Sequence, residues 1–286
     1  MKKIKLGLIG CGRISKNHFE AVSQIPEAEF VACADVVEEK ARLAAETYGI
    51  TNWYTDHLEM LDKEKLDAVS ICTPSGLHPQ IGIDVAKHKV NVITEKPMAI
   101  NIDGASRLIK ACDANQVKLF VVKQNRLNST MQLLKQAVDK NRFGRIFLAQ
   151  SNVFWQRPQE YYDAAKWRGT WEFDGGAFMN QASHYVDAIY WLLGNVDSVM
   201  AYTSTMARRI EAEDTGCAIL HFRSGIIATL NVTMLTYPKN FEGSITIIGE
   251  KGTVKVGGVA VNKIEKWEFE DYDDDDRIAL DANYQP

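Results

Sequence analysis

The stretch Thr94-Glu95-Lys96-Pro97-Met98 places a carboxylate and an ammonium directly after an apolar run that ends at Ile93. Charged groups at the mouth of a hydrophobic sheet are costly unless a partner or a ligand uses them. An ammonium there could stabilise negative charge that develops on a reacting oxygen. In its neutral form the same amine could take a proton. The alternative is a surface lysine after a strand, which fits poorly with a turn fixed by Pro97.

A glycine turn follows the first apolar run and reads Gly10-Cys11-Gly12-Arg13-Ile14-Ser15, a G-x-G-x-x-S pattern. The two glycines permit a tight turn and let the main chain approach a pyrophosphate at a helix N-terminus. Ser15 is small enough for close packing of helix against strand. The pattern therefore predicts a dinucleotide site at Gly10, Gly12, Arg13 and Ile14. A purely structural turn is the alternative, because glycine turns between strand and helix are common.

Asp35 ends the second apolar run, 23 residues beyond Gly12. A carboxylate at this position would accept hydrogen bonds from adenosine ribose hydroxyls and repel a 2′-phosphate. Val36 and Val37 follow it, so no adjacent cation offers a phosphate site. The residues therefore predict NAD rather than NADP as the cofactor.

The third long apolar run ends at Thr73-Pro74-Ser75, and His78 follows. Residues at the carboxyl ends of parallel strands face the ligand crevice of a doubly wound sheet. Thr73, Pro74 and His78 are therefore predicted to line the cofactor site. Capping of a turn at the surface is the alternative for His78.

The elements that must position these residues alternate between short apolar runs and amphipathic segments. Continuous apolar strands separated by helices are typical of a parallel sheet covered on both faces. The pattern predicts an α/β protein whose N-terminal domain, residues 1–124, is a Rossmann-type doubly wound sheet. Its strands are predicted over 4–10, 29–35, 66–73, 90–95 and 118–124, and its helices over 14–25, 37–48, 79–88 and 102–114.

After residue 124 strands follow one another without intervening helices. Such a series indicates a second, α+β domain over 125–286, with a large open sheet that is mostly antiparallel. Helices are predicted over 129–140 and 177–193, and strands over 145–156, 197–206, 214–222, 225–235, 242–248 and 252–256. The acidic stretch EDYDDDDR near the C-terminus is predicted to be a solvated loop.

The composition argues against several classes of partner and site. The net charge is -4 and the sequence pI about 5.9, which gives no reason to expect nucleic acid. None of the five cysteines forms a CxxC pair, so neither a metal site nor a disulfide framework is indicated, and reduced, buried thiols in a cytoplasmic protein are expected. No apolar stretch approaches the roughly 20 residues that span a bilayer.

Taken in order along the chain, the glycine turn, Asp35, TPSGLH (73–78), TEKPM (94–98) and DGGAFMNQASHYVD (174–187) resemble the Gfo/Idh/MocA oxidoreductases. The resemblance implies an NAD(P)-dependent sugar or polyol dehydrogenase with a Rossmann domain and a C-terminal domain. The open sheet of that second domain often mediates oligomers in this family, so a homodimer or homotetramer is expected. Members usually continue past a point such as NYQP, so the resemblance also implies a shortened C-terminus.

The resemblance assigns roles to residues. It implies that Lys96 touches both nicotinamide ribose and substrate, that Glu95 lies near the cofactor and that the bond before Pro97 is cis. His184 matches the catalytic histidine of the family, with a core histidine as the alternative. Gln124, Trp167 and Arg168 are expected along the cofactor, although aromatic residues at this density also serve core packing. Whether Lys96 or His184 takes the hydroxyl proton stays open.

The substrate is the least determined part of the resemblance. Many members have an aspartate four residues before the histidine, where this chain has Asn180, followed by Gln181. These amides could bind sugar hydroxyls or an acetamido group without adding charge. Arg126 could bind a carboxylate or diphosphate, or form a salt bridge with a local acid.

The NQxSH form, with WRGTW (167–171) and KQNR (123–126), resembles the branch that oxidises C3 of UDP-N-acetylglucosaminuronate. A UDP-sugar is therefore the expected substrate. The alternatives are a free sugar, inositol or dihydrodiol as substrate, and a non-catalytic sugar- or NAD-sensing protein on the same fold.

Overall fold

The structure is a computed structural model that describes residues 3–258, 260–272 and 274–279. The chain forms two compact units. The first comprises the residues up to Val122 together with Glu172–Asp174, and the second comprises Lys123–Trp171 and the residues from Gly175 onward.

The first unit is built on a six-stranded sheet in the order β3-β2-β1-β4-β5-β6, and all its strand pairs are parallel. The predicted doubly wound sheet is thereby confirmed. Its order reverses between β1 and β4, which is where such sheets bind ligands. The strands are β1 (Ile4–Ile9), β2 (Ala28–Ala34), β3 (Asn52–Tyr54), β4 (Ala68–Ile71), β5 (Asn91–Thr94) and β6 (Leu119–Val121).

Five helices connect these strands: α1 (Ser15–Ser23), α2 (Glu38–Tyr48), α3 (His57–Lys63), α4 (His78–Lys87) and α5 (Ile102–Asn115). Local signals set several of their ends. Asn101 accepts a hydrogen bond from the Gly104 N–H at 2.7 Å and so caps α5, while Gly49 ends α2 in the left-handed conformation. The sequence interpretation missed β3 and α3, so the strand that leads to Lys96 is the fifth of the sheet in chain order, not the fourth.

The second unit is built on a seven-stranded sheet in the order β13-β12-β11-β7-β10-β9-β8. Only the β7/β10 pair is parallel, so the predicted mostly antiparallel sheet is confirmed. The strands are β7 (Ile146–Phe154), β8 (Val196–Ser204), β9 (Thr215–Phe222), β10 (Ile227–Thr233), β11 (Glu242–Gly249), β12 (Gly252–Gly257) and β13 (Lys263–Phe269). The helices are α6 (Ser129–Asp139), α7 (Gln159–Asp163), α8 (Gly176–Met179), α9 (Ser183–Leu193) and α10 (Asp274–Ala279).

One face of the seven-stranded sheet carries the core of the second unit. Ala228, Leu230 and Val232 alternate along β10 into this core, where residues of α6 and α9 pack against them. The residues between them point to the opposite face. We call that second surface the open face, since it includes the exposed side chains of Met200, Tyr202, Ile219 and Ile227.

Three sequence expectations need correction here. The helix predicted over 177–193 is interrupted at 180–182, between α8 and α9. The acidic stretch is not simply a solvated loop, because Asp276 is buried, pairs with Arg142 at 2.7 Å and accepts from Trp267 Nε1 at 2.6 Å. Finally, Cys217 is exposed on β9, whereas Cys33, Cys72 and Cys112 are buried as expected.

Candidate active site

The first functional element is the turn after β1. Gly10 has φ +94, and a Cβ at this position would lie 2.8 Å from both the Cys72 carbonyl carbon and the Thr73 nitrogen. Only glycine fits there, because the ends of β1 and β4 meet without room for a side chain. A Cβ on Gly12, by contrast, would meet nothing within 4 Å. The turn is therefore closed on its sheet side and open above Gly12.

The main chain of this turn presents hydrogen-bond donors. Among the described residues, the N–H groups of Gly12, Arg13 and Ile14 have no hydrogen-bond partner, and they lie at the N-terminus of α1. Ser15 Oγ donates to the Gly12 carbonyl at 2.6 Å and closes the turn. Free N–H groups at a helix N-terminus favour an anion. The turn thus fits the pyrophosphate of a dinucleotide.

Asp35 is fixed beside this turn by the main chain. Its Oδ2 accepts from the Cys11 N–H and its Oδ1 from the Val37 N–H, each at 2.9 Å. A carboxylate oxygen has a second lone pair, so both oxygens retain capacity to accept from a ribose hydroxyl. The geometry agrees with the predicted preference for a 2′-hydroxyl over a 2′-phosphate.

Thr73 and Pro74 lie directly after β4, as predicted, and Thr73 Oγ1 is buried without a hydrogen-bond partner among the described residues. His78 lies at the start of α4, after the same strand. It is 1% exposed, and its Nδ1 and Nε2 lie 2.7 and 2.9 Å from the carbonyl oxygens of Pro97 and Thr73. Burial lowers the pKa of His78 and outweighs these two carbonyl contacts, which raise it. A neutral His78 donates to one of these two carbonyls, and both ring nitrogens face the main chain of its own unit. Its role toward the cofactor stays a prediction.

Glu95, Lys96 and Pro97 follow β5, and the bond between Lys96 and Pro97 is cis, as the resemblance implied. Glu95 is 8% exposed; its Oε1 lies 3.0 Å from His18 Nε2, and its Oε2 accepts from the Lys96 N–H at 3.0 Å. Burial raises the pKa of Glu95, but the His18 contact, the Lys96 N–H and nearby positive charge outweigh it and hold the pKa below its usual range. Glu95 is thus a carboxylate with one partner from its own chain on each oxygen, and its contact with the cofactor stays a prediction. Lys96 itself is half-buried.

In the second unit, His184 lies in the first turn of α9 and is 8% exposed. Its Nε2 lies 3.3 Å from Gln124 Nε2. An amide nitrogen only donates, so His184 Nε2 must be the acceptor and carries no proton. With the Gln124 amide in this orientation, the lone pair of His184 lies on Nε2, which is then able to take a proton.

The KQNR segment lies against the start of α9. Arg126 makes a two-pronged ion pair with Asp187, with Nε and Nη2 each 2.7 Å from a carboxylate oxygen. Lys123 Nζ lies 3.9 Å from the same carboxylate and donates to the Ser183 carbonyl at 3.4 Å. The salt bridge named as the alternative for Arg126 is therefore present. A substrate anion would have to use the N–H groups that Asp187 does not take, two on Nη1 and one on Nη2.

Two of the remaining predicted residues, Gln181 and Arg168, contact Tyr161 of α7. Gln181 Nε2 lies 3.5 Å from Tyr161 Oη, and Gln181 Oε1 is buried without a partner among the described residues. Arg168 donates to the Tyr161 carbonyl at 2.6 Å and places its guanidinium 4.2 Å from the centre of the Tyr161 ring. Trp167 is half-buried beside Arg168, and Asn180 is buried at the break before α9. Their roles toward cofactor and substrate stay predictions.

Sequence reasoning missed His18, Tyr161 and Asp187. His18 lies on α1, four residues after Ile14, and nothing in the local pattern of that helix distinguishes it from a surface residue. Tyr161 belongs to an aromatic stretch to which the sequence assigns no role. Asp187 enters the sequence interpretation only as part of a motif. Its spacing was a usable signal, because residues three apart, such as His184 and Asp187, lie on the same face of a helix.

Two absences concern other classes of site. Within the described ranges, no three histidine, cysteine, aspartate or glutamate side chains come close enough to hold a metal ion. No helix in that same part of the chain is long and apolar enough to cross a membrane.

Residues 4–123 match the family model for the oxidoreductase family with an NAD-binding Rossmann fold, and residues 131–255 match the GFO/IDH/MocA C-terminal domain. The WlbA dehydrogenase of Bordetella pertussis, solved with NADH and UDP-GlcNAcA, is 56% identical, with a TM-score of 0.95 over 96% of this chain and 80% of that one. The WlbA dehydrogenase of Chromobacterium violaceum, in complex with the same two ligands, is 53% identical, with a TM-score of 0.95 over 97% of this chain and 80% of that one.

A more distant relative acts on a different kind of alcohol. The myo-inositol 2-dehydrogenase of Thermotoga maritima is 27% identical over 259 residues, which are 88% of this chain and 74% of that protein. Both halves of the chain and the two WlbA structures thus agree, and the protein belongs to the Gfo/Idh/MocA oxidoreductases, with NAD as the cofactor of its Rossmann domain.

Proposed function

We propose that this NAD-dependent dehydrogenase oxidises C3 of the sugar in UDP-N-acetylglucosaminuronate. The observation that carries the proposal is the 56% and 53% identity to two dehydrogenases solved with NADH and UDP-GlcNAcA. The myo-inositol enzyme, which acts on a free polyol, is only 27% identical. The amides of Asn180 and Gln181, in place of a carboxylate, are compatible with an anionic sugar, since they add no negative charge.

Oxidation of a secondary alcohol needs a hydride acceptor, a base and stabilisation of the developing alkoxide. Bound NAD supplies the hydride acceptor. We assign the base to His184, because its Nε2 carries no proton in the hydrogen bond with Gln124. We assign alkoxide stabilisation to the Lys96 ammonium, which a half-buried position makes more effective than it would be in water.

The buried amide of Gln181 is the strongest candidate for substrate recognition. Its Oε1 has no partner in the described part of the chain, so it would gain a hydrogen bond from a sugar hydroxyl or an acetamido N–H. Arg126 would contribute through the N–H groups of Nη1 and the second N–H of Nη2, because Asp187 takes the Nε N–H and one N–H of Nη2. We therefore propose that Arg126 binds the anionic substrate while it keeps its structural ion pair with Asp187.

A substrate panel tests the proposal. The purified protein is incubated with NAD and UDP-GlcNAcA, UDP-GlcNAc, UDP-glucose, free glucuronate or myo-inositol, while NADH absorbance is followed. We expect kcat/KM for UDP-GlcNAcA to exceed that for UDP-GlcNAc, which lacks the carboxylate, by about 100-fold or more, because a site built for a polar group rejects analogues without it. Mass spectrometry and NMR of the product should show a ketone at C3.

Preference for inositol or a free sugar would contradict the proposed substrate. A protein that releases NAD on denaturation but turns over none of these alcohols would instead support the sensing alternative. A protein that holds no dinucleotide would leave neither hypothesis standing.

We also propose that copies of the chain associate through the open face into a homodimer or homotetramer. Tyr202 is 83% exposed there, next to the apolar side chains of Met200 and Ile219. Such a surface on a sheet is typical of an interface. The five unpaired cysteines support a reducing compartment, so we place the protein in the cytoplasm.

Light scattering coupled to size exclusion tests the association. Tyr202→Glu should shift the mass toward the monomer, because a carboxylate would be buried without a partner. Tyr237→Glu is the matched control, since Tyr237 is 91% exposed and lies outside the strands. A monomeric parent protein, or an equal effect of both variants, would count against this interface.

A further inference from the structure

A partly buried histidine of the first unit has no part in the function described so far. His18 lies on α1, the helix that begins at the glycine turn, and its side chain is only 14% exposed. Its Nδ1 lies 2.7 Å from Ser70 Oγ on β4, and its Nε2 lies 3.0 Å from Glu95 Oε1 after β5. One side chain thus connects the first helix to two neighbouring strands of the sheet.

The protonation of this chain of groups follows from its ends. Glu95 is a carboxylate and only accepts, so His18 Nε2 must carry a proton and donate to it. The other ring nitrogen, Nδ1, is hydrogen-bonded to the Ser70 hydroxyl, which can donate or accept. The second oxygen of Glu95 accepts from the Lys96 N–H. The hydrogen bonds run from Ser70 through His18 to Glu95 and end at the main chain of Lys96.

We propose that His18 is a positioning residue for Lys96, which it holds in place through Glu95. The proposal rests on the function assigned to Lys96 above. Without His18, the buried Glu95 carboxylate would lose its charge-assisted donor, and a buried carboxylate without such a partner either protonates or turns toward water. In both cases the acceptor that fixes the Lys96 N–H weakens, so the turn that carries the ammonium would loosen.

The position of His18 on α1 adds a reason why the contact matters. The helix starts at Ser15, directly after the glycine turn whose free N–H groups fit the dinucleotide. His18 therefore fixes the lysine turn relative to the same helix that presents those groups. Within the first unit, the side chain of His18 thus fixes the position of the glycine turn, which would hold the cofactor, relative to the turn that carries Lys96.

Three variants test the proposal: His18→Ala, His18→Gln and His88→Ala. The glutamine amide can replace the Nε2 donor toward Glu95. His88 is the matched control because it is a histidine of the same unit whose Nε2 also faces a carboxylate, that of Asp62 at 3.1 Å, but which is more exposed and has no contact with Glu95 among the described hydrogen bonds. Each variant is measured for NAD affinity, for kcat with UDP-GlcNAcA, for Tm and for hydrogen exchange at the Lys96 amide.

We expect His18→Ala to speed exchange at the Lys96 amide by about tenfold or more, because the local hydrogen bond opens more often. Its kcat should fall by about 10- to 100-fold, the loss expected when a catalytic group is displaced by an ångström or less. His18→Gln should recover most of both losses, and His88→Ala should match the parent in both. NAD affinity should change little in all three, because the glycine turn keeps its donors.

Unchanged exchange at Lys96 in His18→Ala would overturn the proposal, as would a kcat equal to that of His88→Ala. If His18→Ala does not fold, Ser70→Ala provides the test, because without the Ser70 hydroxyl the His18 ring is held less firmly and its hydrogen bond to Glu95 opens more often. Exchange at Lys96 should then rise above that of the parent, and equal exchange would overturn the proposal. Absence of turnover in the parent protein would refute the proposed function alone, because the exchange measurement needs no substrate.

Discussion

Replacing Lys96 with methionine is expected to lower kcat by about 100- to 1,000-fold while NAD affinity stays near that of the parent. The loss is that of one preorganised donor to a developing oxyanion. Methionine keeps much of the length and volume of the lysine stem, so the half-buried site stays filled. The Lys96 N–H, which donates to Glu95, is unaffected because it belongs to the main chain. NAD binding is expected to persist because the glycine turn and Asp35 are untouched.

The measurement is steady-state turnover of UDP-GlcNAcA at saturating NAD, together with a fluorescence titration of NADH. Lys118→Met provides a matched control, because Lys118 is an exposed lysine just before the neighbouring strand. Turnover of Lys96→Met within a few-fold of the Lys118→Met value would remove Lys96 from the chemistry.

The dependence of kcat on pH separates the two roles that the sequence left open for Lys96. If the ammonium only stabilises the alkoxide, the limb of the profile that reports the base should survive in Lys96→Met at a lower plateau. If the amine of Lys96 takes the proton, that limb should disappear with it. We expect the first result, because His184 Nε2 is already an acceptor toward Gln124.

The parallel sheet was predictable because its central strands carry a signal that no other element imitates. Residues of β1 and β4 such as Leu8, Ile9, Val69 and Ile71 are all buried, which produces continuous apolar runs. The three-residue β3 lacks that signal, since Asn52 and Trp53 are exposed at the edge of the sheet. Short, exposed elements leave no periodicity to read.

The sequence predicted where the site residues lie along the sheet, but it did not always predict which partners their side chains contact. The rule that the carboxyl ends of parallel strands face the ligand placed Thr73, His78 and Glu95 at that edge of the sheet, where the structure has them. It did not show that His78 and Glu95 turn toward their own chain. Their partners, the Pro97 carbonyl and His18, are 19 and 77 residues away in the sequence. Only the folded structure reveals such long-range partners.

The break between α8 and α9 had no sequence signal either. Residues 177–193 have the periodicity of one helix, and neither proline nor glycine interrupts them. In the structure, Asn180 ends α8 with φ -94 and ψ -70, and a new helix begins at Ser183. The break matters because it places His184 in the first turn of α9, where Gln124 reaches its ring.

His184→Asn should lower kcat by about 100- to 10,000-fold, the range over which a general base contributes. Asparagine retains a polar group near the ring position but has no nitrogen that takes a proton near neutral pH. The fold should tolerate the change, because His184 packs at the start of α9 while the Arg126–Asp187 ion pair holds the same helix independently. The check is again turnover of UDP-GlcNAcA, together with the Tm of each variant.

His221→Asn is the control for this substitution, since His221 is a half-exposed histidine on β9 of the same unit. The decisive feature is the response to pH rather than the size of the loss. A base that is removed takes its limb of the kcat profile with it, and raising the pH should then restore turnover only through hydroxide, without a plateau. A variant that loses turnover but keeps the limb would show His184 to be a core histidine, and the base would have to be Lys96.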